Sequence, residues 1–245
     1  MYLYRHITRD GQLKFVKGVS ITYFTQIIII FVSLITSILV ARYLGPSGRG
    51  VFAVLSVLTA LGIKMGNLGF PAATVYFLGK NEEKRQNIFH ISLVVGLVGG
   101  SIISFFIFLM CLIFPDFLIK NVSFNLLVIT IISFPFLLGT SLFSNFLLGI
   151  KKYIPYNLFS IISKFVSLLK VILILVILGL GLIEFVIGTT IAALIVFLFY
   201  LIYIYRLDRY DLPRNIDKSL FNEMWKYGRK SYLASTLGFL IIRSD

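Results

Sequence analysis

The chain has 245 residues, 58% of them hydrophobic and only 13% charged, with a mean hydropathy of +0.96. Soluble domains carry about a quarter charged residues, so a soluble enzyme of ordinary type is excluded. Lys and Arg number 23 against 10 Asp and Glu, but the surplus lies in loops between long apolar runs, where it marks a cytoplasmic membrane face and not a nucleic-acid surface.

In chain order, the basic segment 1–17 precedes a run too long for a signal-peptide core and without a small-x-small cleavage site, which reads as a retained first span. A transmembrane helix needs about 20 apolar residues, and six candidates follow: Gly18 to Ala41, Val51 to Leu78, Ile88 to Phe114, Phe124 to Gly149, Ile154 to Leu180 and Ile183 to Ile204. They are continuous runs of Ile, Leu, Val and Phe, not the short alternating segments of barrel strands. The expected fold class is therefore all-α, a polytopic membrane helix bundle. Residues 18–205 form a six-helix lobe, 206–230 a cytoplasmic amphipathic connector, and 231–245 the start of a seventh span that the chain leaves incomplete. In the connector, Ile216, Leu220, Met224 and Tyr227 recur at helical spacing, and Trp225 suits headgroup level.

Orientation follows from the loops. Sixteen basic residues lie on the side shared by the N-terminus and the even-numbered loops, against three (Arg42, Arg49 and Lys120) on the other. The positive-inside rule places the N-terminus in the cytoplasm. Four more cations, Lys64, Lys164, Lys170 and Arg243, fall inside apolar segments.

Polar residues are one-sided on several spans. On span one, Thr22, Thr25, Gln26, Ser33, Thr36 and Ser37 share an arc of about 120°, and on span five Tyr156, Asn157, Ser160, Ser163, Lys164, Ser167 and Lys170 share about 140°. Span four carries Thr130, Ser133, Thr140, Ser141, Ser144 and Asn145 in the same manner. Such stripes are either packing seams or walls of a hydrated cavity. Lysines shift the balance, because a charge at the bilayer centre costs about 2.5 to 3.5 kcal/mol on insertion scales and normally faces water, a partner or a ligand. Lys64 is the deepest, Lys170 is also deep, and Lys164 can snorkel to the cytoplasmic side. Glu184 lies at an outer boundary and no carboxylate pairs with the lysines at mid-depth. The expected interior is electropositive, suited to anionic cargo. The candidate cavity residues are Lys64, Lys170, Lys164, Asn67, Gln26, Ser163 and Ser167.

Beyond Lys64, Gly66-Asn67-Leu68-Gly69-Phe70-Pro71 should kink or unwind span two. Gly62/Gly66 and Gly96/Gly100 are small-xxx-small pairs that permit close helix approach. His6 and His90 have no Cys or carboxylate cluster beside them, so no metal is expected. There is no GxxxxGK[ST] loop for nucleotide phosphates and no nucleophile elbow. Neither an enzyme nor a cofactor is expected.

Residues Ala41-Arg42-Tyr43-Leu44-Gly45-Pro46-Ser47-Gly48-Arg49-Gly50 resemble the A-R-x-L-G-P-x-x-x-G turn of prokaryotic polysaccharide exporters, and Asn67-Leu68-Gly69-Phe70-Pro71-Ala72-Ala73-Thr74 resembles their second span. The resemblance is to the oligosaccharide flippases of the Wzx type, within the multidrug/oligosaccharidyl-lipid/polysaccharide (MOP) transporter superfamily, and it covers their N-terminal half. It implies a two-lobe transporter in the plasma (inner) membrane of a prokaryote. The implied cargo is a polyprenyl-pyrophosphate-linked glycan, carried from the inner to the outer leaflet. The implied partners are that glycan, membrane lipids, and a C-terminal lobe or glycan-assembly proteins, with no nucleic acid. Two rivals stand beside it: a cation-coupled multidrug extruder on the same scaffold, which calls for intramembrane carboxylates, and a non-transporting truncated remnant or scaffold.

Overall fold

The computed structural model describes residues 9–80, 82–113, 122–208 and 217–243, and the regular structure among them is helical throughout. Helix α1 runs Arg9–Asn67 and α2 Phe70–Lys80. Next come α3 (Arg85–Val94) and α4 (Gly100–Ile113), joined by a π-helical turn, Val95–Gly99. Then follow α5 (Phe124–Ile132), α6 (Phe134–Gly149) and α7 (Tyr153–Val171), with α7 extended by a π-helical Ile172–Ile177. Helices α8 (Leu182–Asp208) and α9 (Lys218–Arg243) complete the order.

Five helices are long and apolar enough to cross a membrane, and the first of them, Ser20–Asn67, has 48 residues. At 1.5 Å per residue that is about 72 Å, more than twice a hydrocarbon core of about 30 Å. Gly45 resolves the mismatch: its φ of 67° and ψ of 179° are non-helical, and Pro46 follows. That backbone region is essentially restricted to glycine. The hinge divides α1 into a first limb, residues 9–44, and a second limb, residues 46–67. Ser33 and Ser56 line one cavity, so the limbs fold back on each other. The loop expected between spans one and two is reduced to this hinge, because helical geometry persists on both sides of it.

The first limb lies alongside α7 in the same direction: Asn157 Nδ2 donates to Thr22 Oγ1 at 3.1 Å, and farther along Val40 packs with Val171 and Leu175. The second limb packs on α4 and α6, with Gly66 seated against Ile103 and Leu138. Span two then breaks, as expected, at Leu68 (φ 45°) and Gly69 (φ 78°). Asn67 Oδ1 accepts the Gly69 N–H at 3.1 Å and thereby closes the turn. Helix α9 crosses the break. Gly228 lies so close to Gly69 that a Cβ on Gly69 would meet its carbonyl, and Tyr227 stacks on Tyr76 with centroids 4.4 Å apart. Leu220 and Met224 of α9 are buried, and Trp225 packs against Phe70. Ile216, the fourth member of the expected stripe, lies outside the described residues.

Span four is bent between α5 and α6. The Ser133 N–H turns to the Thr130 carbonyl at 3.1 Å instead of to Ile129, and Pro135 has no N–H to offer Ile131. Both abandoned carbonyls are met from other helices, Ile129 by Thr190 Oγ1 and Ile131 by Ser104 Oγ, each at 2.9 Å, the Ser104 proton being shared with the Gly100 carbonyl of its own helix at the same distance. The larger core cluster is aromatic, with Phe143 stacked between Phe89 and Phe197 at 5.4 Å from each.

Two predictions follow from these breaks. Ser104→Ala should cost about 1–3 kcal/mol through the orphaned Ile131 carbonyl. It should cost clearly less in a Pro135→Ala background, where residue 135 regains its N–H; detergent unfolding of the double-mutant cycle measures the difference. Gly69→Ala should lower the melting temperature more than Gly45→Ala. Both positions have positive φ, but a Cβ at Gly45 meets nothing within 4 Å, whereas at Gly69 it meets the Gly228 backbone.

Candidate functional site

The fold-back of α1 creates a groove between its two limbs and α7. A cavity of about 340 Å³ lies there, lined by Ser33, Thr36, Ser37 and Val40 from the first limb, Arg49, Phe52, Ala53 and Ser56 from the second, and Lys164 and Ser167 from α7. The first-limb residues fall on the polar stripe at 100° steps, and the second-limb residues share one face in the same way. Two cations and five hydroxyls therefore face one space, and no Asp or Glu is among the described residues that line it. Guanidinium and ammonium groups are donors only, so this groove fits an anion with several acceptor oxygens.

A second cavity of about 330 Å³ lies behind it, between the second limb, the α5–α6 bend and α8. It is lined by Phe52, Leu55, Ser56, Thr59, Ala60 and Ile63, by Thr130, Ser133 and Leu137, and by Val186, Thr189 and Thr190. Phe52 and Ser56 belong to both walls. The bend at Ser133 supplies the space for this cavity, since Thr130, Ser133 and Leu137 come from its two arms.

Of the candidate residues read from the sequence, Lys164 and Ser167 line the groove. Ser163, on the same helix, donates its hydroxyl to the Phe159 carbonyl at 2.7 Å. Gln26 is exposed on the first limb, two turns before Ser33 on the same face. Lys64 is exposed, two residues before Gly66 and about 12 Å along the second limb from Ser56, turned about 80° around the helix from it. Asn67 lies about 20° from Ser56 around the same limb, but its side-chain oxygen is engaged at the break.

Lys170 is seated differently from the other lysines. Its Nζ donates to Thr189 Oγ1 at 2.8 Å and lies 4.3 Å from the Phe185 ring centroid and 6.0 Å from that of Phe52. Gly188 makes room first for Ile174, whose Cδ1 a Cβ there would strike, and also for the Lys170 stem, whose Cγ would stand 3.3 Å away. Hydroxyl and aromatic faces thus hold the ammonium between α7 and α8, a geometry favourable to a desolvated cation.

Arg49 is the groove residue that sequence reasoning assigned to an outer loop. Its spacing of seven from Ser56 was the available signal, and it becomes informative only once the helix is known to begin at Pro46. Among the described residues no group of three or more His, Cys, Asp or Glu could hold a metal ion.

Comparison with known proteins places this geometry. A family model described as polysaccharide biosynthesis protein matches residues 15–245. No curated protein matches the chain. Among solved structures, it is similar to an outward-facing multidrug resistance MATE family transporter of the MOP superfamily, with TM-score 0.68 and 14% identity over 90% of this chain and 51% of that one. It is also similar to a MATE in complex with Br-NRF, with TM-score 0.69 and 15% identity over 93% and 55%. A third is a MOP superfamily transporter from Pyrococcus furiosus, described as having a binding pocket of reverse polarity that suggests a different function, with TM-score 0.65 and 14% identity over 90% and 51%. The chain spans about half the length of these structures, and at such identities the likeness is one of fold. The match along nearly the whole chain shows that it belongs to the polysaccharide biosynthesis protein family of multi-pass membrane proteins.

Proposed function

We propose that the chain forms one lobe of a flippase that moves lipid-linked oligosaccharide or polysaccharide repeat units across the plasma membrane of a prokaryote, with its N-terminus in the cytoplasm. The observation that carries this reading is the groove lined by Arg49 and Lys164 with five hydroxyls and no carboxylate. A polyprenyl-pyrophosphate-linked glycan offers the complementary chemistry: a diphosphate for the cations and sugar hydroxyls for Ser and Thr. Lys64, about 12 Å farther along the same limb, adds positive charge beyond the groove, and Lys170 adds positive charge from behind Phe52. Residues 1–17 and 206–230 are assigned to the cytoplasmic side, 18–205 to this lobe, and 231–245 to the start of a second lobe, the partner across the cavity.

A cation-coupled multidrug extruder shares the scaffold, and MATE transporters are among the structural neighbours. Cationic drugs require acidic walls, and the charged residues of the groove are both basic. The Pyrococcus furiosus transporter, too, is described by the reverse polarity of its binding pocket. Export of negative charge from a cell that is negative inside is favoured by about 2.3 kcal/mol per charge per 100 mV, so the membrane potential can drive the movement without nucleotide hydrolysis.

In the complete transporter, Arg49→Ala and Lys164→Ala should each lower the export of lipid-linked glycan about tenfold or more, given about 1.5–3 kcal/mol for a hydrogen bond to a charged group. Lys170→Met should act mainly on stability, because its ammonium already has Thr189 and Phe185 as partners. Surface-glycan export at matched expression checks both. Unchanged export in the Arg49→Ala, Lys164→Ala double variant would remove the proposal.

A further inference from the structure

The two cavities share Phe52 and Ser56 yet have opposite hydrogen-bonding character. In the second cavity each lining hydroxyl has its proton committed to a backbone carbonyl. Ser56, Thr59 and Thr130 donate to the residue four earlier at 2.8 Å, and Thr189 does the same at 2.9 Å. Ser133 donates to Thr130 at 2.6 Å and Thr190 to Ile129 at 2.9 Å. Such bonding is ordinary for Ser and Thr in membrane helices, but it has a chemical consequence: these oxygens present only lone pairs to the cavity. The groove in front supplies N–H donors, and the cavity behind it supplies acceptors. The rest of the rear wall is apolar, from Phe52, Leu55, Ala60, Ile63, Leu137 and Val186.

A ligand for that space must bring hydroxyl protons and an apolar C–H face, and must carry no negative charge. A neutral hexose does all three, and its volume class suits a pocket of a few hundred Å³. In a diphosphate-linked glycan the first sugar is bonded directly to a phosphate, so its site has to adjoin the anion site, as two cavities with shared wall residues do. Resting on the flippase reading above, we propose that the second cavity is the subsite for the first, uncharged sugar of the lipid-linked unit. The Ser and Thr oxygens there accept its hydroxyls while Arg49 and Lys164 hold the diphosphate. The subsite disfavours a hexuronic acid in that first position, since its hydroxyls would offer a carboxylate only lone pairs, and the nearest cation, Lys170, is already engaged by Thr189 Oγ1 and the Phe185 ring.

The test measures binding to the complete transporter in nanodiscs with three probes: polyprenyl diphosphate, polyprenyl diphosphate bearing one neutral hexose, and the same lipid bearing one hexuronic acid. The variants are Thr59→Val and Thr130→Val, nearly isosteric changes at hydroxyls that bond only within their own helices. The hexose should tighten binding of the unmodified protein about tenfold over the bare diphosphate lipid, as two or three hydrogen bonds would. The uronic acid should give no such gain. The double valine variant should lose the hexose increment and bind the bare lipid unchanged, whereas Arg49→Ala should weaken all three probes. An increment that survives in the valine variant, or a uronic acid that binds as tightly as the hexose, overturns the subsite and leaves the flippase reading in place. Absence of binding by every probe overturns both. Should the double variant not fold, Thr59→Val alone with the same three probes reads the same increment.

Discussion

Hydrocarbon offers no hydrogen bonds, so a helix that bends inside a membrane must find new partners for every carbonyl and N–H the bend releases. This helical bundle depends on that constraint being met at chosen points. The bend in span four frees the carbonyls of Ile129 and Ile131, and hydroxyls from two other helices meet them. The break in span two is closed by Asn67. Because these repairs are local, the helices can depart from straight rods, and the departures are what hollow out the bundle. The bend at Ser133 makes the rear cavity and the hinge at Gly45 makes the groove. Straight helices would pack these spaces shut.

The same hydroxyls then do double work. A threonine that bonds its own helix is commonly read as internally satisfied, but an oxygen keeps lone pairs after giving up its proton. Several such residues around one space give it a defined sign of hydrogen bonding without any charge. Beside it, Arg49 and Lys164 give the groove the opposite sign. Lys170 belongs to neither wall. Thr189 and the Phe185 ring hold its ammonium between α7 and α8, where its charge is felt without making it a contact residue.

The sequence made much of this legible. Continuous apolar runs identified a helical membrane protein, because no other architecture tolerates them, and the Gly66–Pro71 cluster located the break in span two because glycine and proline act locally. The polar stripe on span one also survives, with Ser33, Thr36 and Ser37 in the groove. Less legible was anything decided by how limbs fold back. Arg49 read as a loop charge because hydropathy ended span one at Ala41, whereas helical geometry continues on both sides of Gly45. Lys170 read as a groove lysine because helical projection gives a direction but not what stands there, and the Phe185 ring and the space left by Gly188 come from another helix. The rear cavity was invisible altogether, since it depends on three helices meeting at a bend.

The contact between Gly69 and Gly228 leaves no slack for either backbone to slide past the other. A side chain at either position would have to displace the other backbone, so the glycine pair fixes how closely α9 can lie against the break in span two.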